Sequence, residues 1–392
     1  MPADWIDSYM VLTDNSEPPA MFRRWVAIST LAAVLQRKCY LPWGTLTFYP
    51  NLYVVLIGPP GKARKGTAMA PGLDFLNEPG LNIKLAAEAI TREALIRELK
   101  NAADTYINSE TGEMIFHSSL TVYSPELTVF LGYQNTQLLS DLTDWYDCRK
   151  KWTYRTKWSG VDTIDGVWVN ILGATTPALI QSSMPLDAIG GGLTSRMIFI
   201  YEPRRGKVVP DPFPTQEELD LLKYLQHKLE LISMMGGPFR VTDEFMRLWT
   251  EWYLEQEHSR PFEDERFAAY IERRPANIMK LSMITCASRT LDMVITEDDL
   301  KRAIIFLEEA EIKMPMALSG VGRYGFAGIL SSIMVEISTR KECELADLLR
   351  IFRHDITSWD LNKMLDTLEA MHFCHIITNT GKILYNESFD EQ

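Results

Sequence analysis

Apolar positions follow two different periods along this chain. From Phe22 to Leu35 they recur at three- and four-residue steps, which keeps one face of a helix out of water. A short extended piece follows at Leu46-Thr47-Phe48. From 51 to about 202 the period changes. Continuous apolar runs at 52–57, 119–123, Val167–Leu172 and Met197–Tyr201 read as buried strands, with helices between them, one directly after the first strand and one from Thr91 to Asn101. Strands separated by helices predict an α/β core with a parallel sheet and both faces covered. Pro203 to Pro214 holds four prolines and reads as a linker. Helical spacing then dominates 215–233, 241–257, 264–289 and 296–314, interrupted by Gly236-Gly237-Pro238. Ser319-Gly320-Val321-Gly322 marks a second boundary.

The last seventy or so residues run as helices at 327–338, 343–353 and 357–371, then extended pieces at Cys374–Thr378 and Ile383–Tyr385 around Asn379-Thr380-Gly381. Three helices followed by a hairpin are the winged-helix pattern. The expected organisation is an N-terminal helical extension (1–50), an α/β core (51–205), a helical lid (215–318) and a winged helix (323–392).

The turn after the first strand carries the most chemistry. It reads Gly58-Pro59-Pro60-Gly61-Lys62-Ala63-Arg64-Lys65-Gly66-Thr67. A strand entering a glycine-rich turn, then Lys and Thr opening a helix, is how a P-loop holds nucleotide phosphates on backbone N–H groups, a helix dipole and a lysine. The spelling is irregular. Arg64 stands where a glycine usually precedes the lysine, Gly66 where Ser or Thr usually follows, and the loop from Gly58 to Lys65 is one residue long. The alternative is an ordinary Gly-Pro turn. Lys65 is favoured over Lys62 because only Lys65 has a nearby downstream Thr, Thr67, to hold magnesium.

Three further elements gain meaning beside that loop. Glu126 follows the strand Leu120–Tyr123, where an acid polarises an attacking water or holds magnesium's water shell. Thr175 and Thr176 end the next strand; a hydroxyl there orients water, or merely stops the strand, and Thr176 is favoured because the residue before Pro177 is held extended. Gly190-Gly191-Gly192-Leu193-Thr194-Ser195-Arg196 sets one arginine at a strand entry, as an arginine finger or as a structural cap.

Composition is ordinary for a globular protein: 392 residues, 46% apolar, 23% charged and 10% aromatic. The five cysteines form no CxxC pair, which suggests neither zinc nor disulfides and favours a reducing, cytoplasmic compartment. No basic-then-apolar leader opens the chain, and no apolar run approaches a membrane span. A net charge of −12 excludes an all-over basic nucleic-acid binder, so any DNA contact is local. The local patch is Arg149 to Trp158, five basic residues (Arg149, Lys150, Lys151, Arg155, Lys157) interleaved with Trp152, Tyr154 and Trp158. It offers phosphate contacts and stacking faces, or it is a solvated amphipathic hairpin. Arg204-Arg205-Gly206-Lys207 is a weaker patch, better read as a solvated linker. The winged-helix region carries six Lys/Arg against eleven Asp/Glu from Ile329 to Gln392, so a protein contact suits it at least as well as DNA. The six histidines form no constellation.

In order and spelling the chain resembles the P-loop ATPases of phages and other mobile elements described as replicative helicases. The resemblance rests on Tyr49-Pro50-Asn51-Leu52-Tyr53, Arg64-Lys65-Gly66-Thr67, Ser124-Pro125-Glu126-Leu127, the aromatic-basic stretch Trp152–Lys157 and Gly191–Arg196, and covers about residues 5 to 315. A more distant likeness, by order and short motifs, is to the AAA+ minichromosome-maintenance helicases. There a basic hairpin between the acidic and polar-tipped strands enters the ring's pore, an interval that here holds Lys150, Lys151, Arg155 and Lys157. Their Ser-Arg-hydrophobic element carries the finger, matching Ser195-Arg196-Met197. Their lid carries an Arg seven residues before a basic-Leu-Ser, matching Arg273 before Lys280-Leu281-Ser282, with Arg274 a close rival.

These resemblances imply an AAA+-like ATPase binding ATP and Mg2+. Gly58, Pro59, Pro60, Gly61, Arg64, Lys65, Gly66 and Thr67 would hold the nucleotide, Thr67 and Glu126 the metal, and Lys65, Glu126, Thr176, Arg196 and Arg273 would serve hydrolysis. They imply a homo-oligomeric, hexameric ring on single-stranded or forked DNA, working as a replicative helicase in a host bacterial cytoplasm. Two alternatives are an ATP-dependent initiator or helicase loader, and a nucleotide-stabilised assembly protein without catalysis.

Overall fold

The computed structural model describes residues 4–108, 112–132, 135–156, 160–183, 190–256, 260–262, 264–318, 327–377 and 381–386. These divide into two compact units, Met1–Ala317 and Leu318–Gln392. The Ser319–Gly322 boundary lies outside the described residues.

The first unit is mixed α/β. Helices α1 (Trp5–Leu12) and α2 (Ala20–Leu35) precede strand β1 (Tyr53–Ile57), which leads through the glycine-rich turn into α3 (Lys65–Leu76). Next come α4 (Arg92–Asn101), β2 (Ala103–Ile107), β3 (Met114–Ser124), α5 (Thr136–Tyr146), the hairpin β4 (Lys151–Thr156) and β5 (Gly160–Asp165), then β6 (Val167–Thr175) and β7 (Met197–Tyr201). Four longer helices follow: α6 (Gln216–Ser233), α7 (Asp243–Gln256), α8 (Arg274–Arg289) and α9 (Glu297–Glu311).

The central sheet has five strands in the order β2-β3-β6-β1-β7, with only the edge pair β2–β3 antiparallel. Every residue of β1, β6 and β7 is buried, as expected of parallel strands covered on both faces. The register sets the ends of the sheet: Ile57 pairs with both Thr175 and Tyr201, while Tyr53 pairs with Met197 at the other end. Helix α2 is buried on nearly all sides, against α3 and the sheet.

Several boundaries differ from expectation. Strand β3 begins at Met114 rather than 119, because its first residues pair with β2, an exposed edge strand whose Ala103-Asp104 start carries no strand signal. Helices α1 and α5 were not anticipated. The expected helix 264–289 is broken into a 3-10 turn (Glu265–Phe267), one short turn (Ala268–Ile271) and α8, since Pro275 suits only the first turn of a helix. The Arg204–Lys207 stretch is exposed, as expected of a solvated linker, and is also tethered: Arg205 pairs with Glu17 at 3.0 Å and Lys207 with Asp14 at 3.0 Å.

His117, on β3, is buried and pairs with the Ser119 hydroxyl at 2.9 Å. Burial pushes its pKa from 6.5 down to about 4, with Asp104 opposing and Lys38 and Arg37 assisting. Between those values the unfolded chain binds a proton that the folded chain refuses, so stability falls as pH drops. The loss between pH 7 and pH 5 is about 2 kcal/mol. His117→Gln is expected to lose that much less than wild type over the same interval in urea unfolding. Equal losses would contradict it.

The second unit holds α10 (Ala327–Arg340), β8 (Glu342–Glu344), α11 (Leu345–Phe352), α12 (Ser358–Ala370), β9 (Cys374–Ile377) and β10 (Lys382–Tyr385). Its three strands form an antiparallel sheet in the order β8-β10-β9; β8 is additional to the expected elements. Leu348, Leu361, Leu365, Leu368 and Ile383 form its core. Among the described residues no helix is long and apolar enough to cross a membrane.

Candidate functional site

The turn between β1 and α3 requires close backbone approach. A Cβ on Gly58 would meet the Glu202 carbonyl oxygen at 2.5 Å and Ala63 Cβ at 2.7 Å, so only glycine fits. Arg64 has φ +55°, a left-handed conformation that costs a residue with a Cβ roughly 1 kcal/mol. Arginine thus adopts here the backbone geometry for which the usual glycine is selected. Helix α3 starts immediately after it, with no side-chain cap on its N-terminus. Its first intrahelical bond runs from Ala68 N to Arg64 O at 3.0 Å, which leaves the N–H groups of Lys65, Gly66 and Thr67 facing out of the helix end.

Lys65 folds back over this turn. Its Nζ donates to the Gly58 carbonyl at 2.6 Å and lies 3.4 Å from that of Pro59. Burial pushes the ammonium pKa down, and the charge of Glu126 pulls it back up. Pro60, Gly61, Lys62, Gly66 and Thr67 are exposed, and Pro59 is half-buried. The lysine integrated into the turn is therefore Lys65.

Glu126 is exposed on the turn that follows β3. Ser124 is level with Gly173 on β6, and Gly173 with Val55 on β1. With β6 between them, the acid strand stands ~10 Å from the loop strand, enough for a phosphate and a water. The tip of β6 fills that interval. Thr175 accepts the Gly58 N–H on its carbonyl at 3.4 Å, and its buried hydroxyl has no partner among the described residues. Thr176 Oγ1 instead accepts from Leu179 N at 3.3 Å, capping the helix Pro177–Ser183. The favoured hydroxyl thus has a local task, and its neighbour has none.

Arg196 and Arg273 meet, but not at the loop. Arg273 Nε donates to Ser195 Oγ at 3.2 Å; burial and the charge of Arg196 both lower its pKa. Arg196 precedes Met197, level with Tyr53, so both arginines stand at the end of the sheet away from Gly58. Six residues of strand at ~3.3 Å each make that roughly 20 Å, beyond an arginine's reach to its own loop. Arg196 is buried, donates to Asp147 Oδ2 at 3.0 Å and Gly192 O at 2.9 Å, and lies over the Tyr146 ring. Arg274 is bound elsewhere, in a two-bond pair with Glu311 at 2.7 and 2.8 Å. That separates it from Arg273: one is locked in the core, the other half-exposed.

The basic stretch is a hairpin, but a longer one than 149–158. Its strands span Lys151–Thr156 and Gly160–Asp165; Lys157 and Trp158 lie outside the described residues. Its two faces differ. Trp152 is buried against Trp145 at 5.4 Å, and Tyr154 is half-buried under Arg92, so these aromatics anchor the hairpin rather than offering free stacking faces. Lys151, Thr153 and Arg155 form the exposed face, with Lys150 and Arg149 exposed beside them. Asp165 stands directly across from Lys151 and moderates the charge.

A cleft of about 390 Å3 runs beside α3, lined by Leu12, Asn15, Ser16, Phe75, Leu222 and Gln226 among others. Thr67, Pro71 and Asp74 lie on one stripe of that helix, and Pro71 and Asp74 line the cleft, so it continues the face that starts at the loop. Among the described residues no three His, Cys, Asp or Glu side chains gather as a metal site. A hydroxyl and one carboxylate beside free N–H groups suit magnesium carried in by phosphates, which keeps most ligands as phosphate oxygen and water.

Sequence reasoning missed Glu17, which holds Arg64, and Asp147, which holds Arg196. Each pair is far apart in sequence and has no periodic signal. Asn51 and Lys280 carry such a signal only as motif letters; Lys280 Nζ donates to Asn51 Oδ1 at 2.8 Å, tying α8 to the base of β1. No protein-family model matches the chain, and no curated protein matches it at significant similarity.

Proposed function

We propose that this chain is an ATP hydrolase that moves along DNA, a ring-forming translocase or helicase of the AAA+ type acting in phage or mobile-element replication. The observation that carries this reading is Lys65 at the open end of α3, folded over a glycine-rich turn and electrostatically coupled to Glu126 two strands away. The free N–H groups of α3 and Lys65 bind the β- and γ-phosphates. Glu126 accepts the proton of the attacking water, and the Thr175–Thr176 tip orients that water. Thr67 and Glu126 would hold magnesium together with the phosphates, and the ion would supply positive charge beside the phosphate oxygens.

Two arrangements support the finer parts. Arg196 and Arg273 lie too far from their own loop but stand side by side, Arg273 bonded to Ser195 beside Arg196, which suits a phosphate on a neighbouring subunit and hence a closed ring. The second unit has the element order of a winged helix, with the strand β8 completing its sheet. The hairpin's outer face, Lys150, Lys151 and Arg155, is the DNA grip.

Strand displacement on forked DNA with ATP tests the helicase. ATP hydrolysis without displacement identifies a loader or initiator; no hydrolysis leaves the assembly protein. Reversing Lys150, Lys151 and Arg155 to Glu is expected to weaken single-strand binding on the order of a hundredfold and to flatten its salt dependence. Unchanged binding in a fluorescence-anisotropy titration would refute the hairpin's role. Trp152 is left in place because its removal would unseat the hairpin itself.

A further inference from the structure

Three charged side chains meet beside the glycine-rich turn. Glu17, between α1 and α2, accepts from Arg64 Nε at 2.6 Å and from Arg205 Nη1 at 3.0 Å. Its backbone is fixed too: the Glu17 carbonyl accepts from Gly206 N at 2.9 Å, and Gly206 lies against Pro18 and Pro19. This is a held carboxylate, not a waving surface acid. Its partner Arg64 immediately precedes Lys65 at the N-terminus of α3. Two of the three loop cations are thus engaged with protein groups, Lys65 with the Gly58 carbonyl and Arg64 with Glu17. Each of those partners is weaker than, or equivalent to, a phosphate: guanidinium binds phosphate with the same paired N–H···O geometry it uses for carboxylate, and a polyphosphate brings more charge.

We propose that Glu17 is a positioning residue of the nucleotide site, an internal carboxylate that occupies Arg64 until the polyphosphate of a nucleoside triphosphate replaces it; this rests on reading the turn as a nucleotide loop. The exchange is of ion-pair partners only. Arg64 moves from carboxylate to phosphate, and Arg205 retains Glu17. Nucleotide binding is thereby linked to the 13–19 segment, which also lines the cleft beside α3. The adjacent acid, Asp14, pairs with Arg23 at 3.1 Å and Lys207 at 3.0 Å and has no bond to the loop, which makes it the natural control.

The test is calorimetric titration of the full chain with ATP at low and high salt. Glu17→Gln keeps the hydrogen-bonding shape and removes the charge. It is expected to tighten ATP binding on the order of fivefold, the effect of one unit charge at short range near a surface, and high salt should shrink the gain. In an Arg64→Ala background the same substitution should change nothing, because its effect passes through Arg64. Asp14→Asn should leave the affinity where it is. Should Glu17→Gln fold poorly, Glu17→Asp, which withdraws the charge from Arg64, carries the same expectation of tighter binding. Equal or weaker ATP binding by the Glu17 variants, or an equal gain without Arg64, overturns the proposal. A wild-type chain that binds no ATP overturns the loop reading instead.

Discussion

Replacing Lys65 by alanine is expected to lower kcat/KM for ATP hydrolysis on the order of a thousandfold, the effect of removing a preorganised charge aimed at the transition state. The argument starts from what the side chain does in the folded protein. Its ammonium is half-buried over the turn and bonded to the Gly58 carbonyl at 2.6 Å, so it is already held at the proposed phosphate site. Burial lowers its pKa, and the charge of Glu126 opposes that shift. Deleting it removes the cation but leaves Gly58, the left-handed Arg64 and the N-terminus of α3 intact. Folding should therefore be nearly unaffected, and thermal unfolding should report a change below about 1 kcal/mol. Lys62→Ala, exposed on the same turn, is the internal comparison and should keep wild-type rates. Equal rates for Lys65→Ala and wild type would remove the enzyme reading.

The largest expected effect on stability lies elsewhere. Arg274→Met should destabilise the first unit by about 3–5 kcal/mol, because it strands a buried carboxylate. Glu311 is 3% exposed, takes both Arg274 bonds and accepts the Tyr270 hydroxyl at 3.0 Å. Burial raises its pKa, and the guanidinium is what holds it down. Without Arg274 the acid must take up a proton or draw in water, and the Trp252 face that the guanidinium covers loses its neighbour. Two comparisons isolate the mechanism in urea unfolding. Arg273→Ala, one residue earlier and half-exposed, should cost less than about 1 kcal/mol. The double variant Arg274→Met/Glu311→Leu should recover most of the loss, since an apolar pair of similar volume replaces a buried ion pair at little cost. A double variant as unstable as the single would show that packing, not charge, holds α8 to α9.

The two arginines also show how far the sequence is legible. A motif spacing singles out Arg273, with Arg274 beside it, but spacing alone cannot say which faces the core. That depends on Glu311, thirty-seven residues on in another helix. The strands β1, β6 and β7 are readable because complete burial demands uninterrupted apolar runs. Strand β2 is not, because an edge strand with alternating exposure tolerates Asp104 and Thr105. Helix α5 has buried Leu138, Leu139, Leu142, Trp145 and Tyr146 at helical spacing, so its signal is present in the sequence. For the hairpin, the basic residues are legible and their aromatic neighbours misleading. Alternation in β4 sends Trp152 inward and Lys151 outward, and the partner strand β5 is what fixes that choice. At the loop, the residues proposed to bear on phosphate are contiguous in the sequence, from Gly58 to Thr67. The carboxylate bracing Arg64 is not, since Glu17 comes from a proline-flanked connection forty-seven residues away.

The central claim, that Lys65 and Glu126 form the binding and hydrolysing halves of one ATP site, is tested most directly by Glu126→Gln. An amide keeps the shape and loses the base. ATP binding and steady-state ATP turnover are measured on the same preparation. The account predicts that the variant binds ATP with near wild-type affinity while turnover falls by about a hundredfold or more. Wild-type turnover by Glu126→Gln would contradict it.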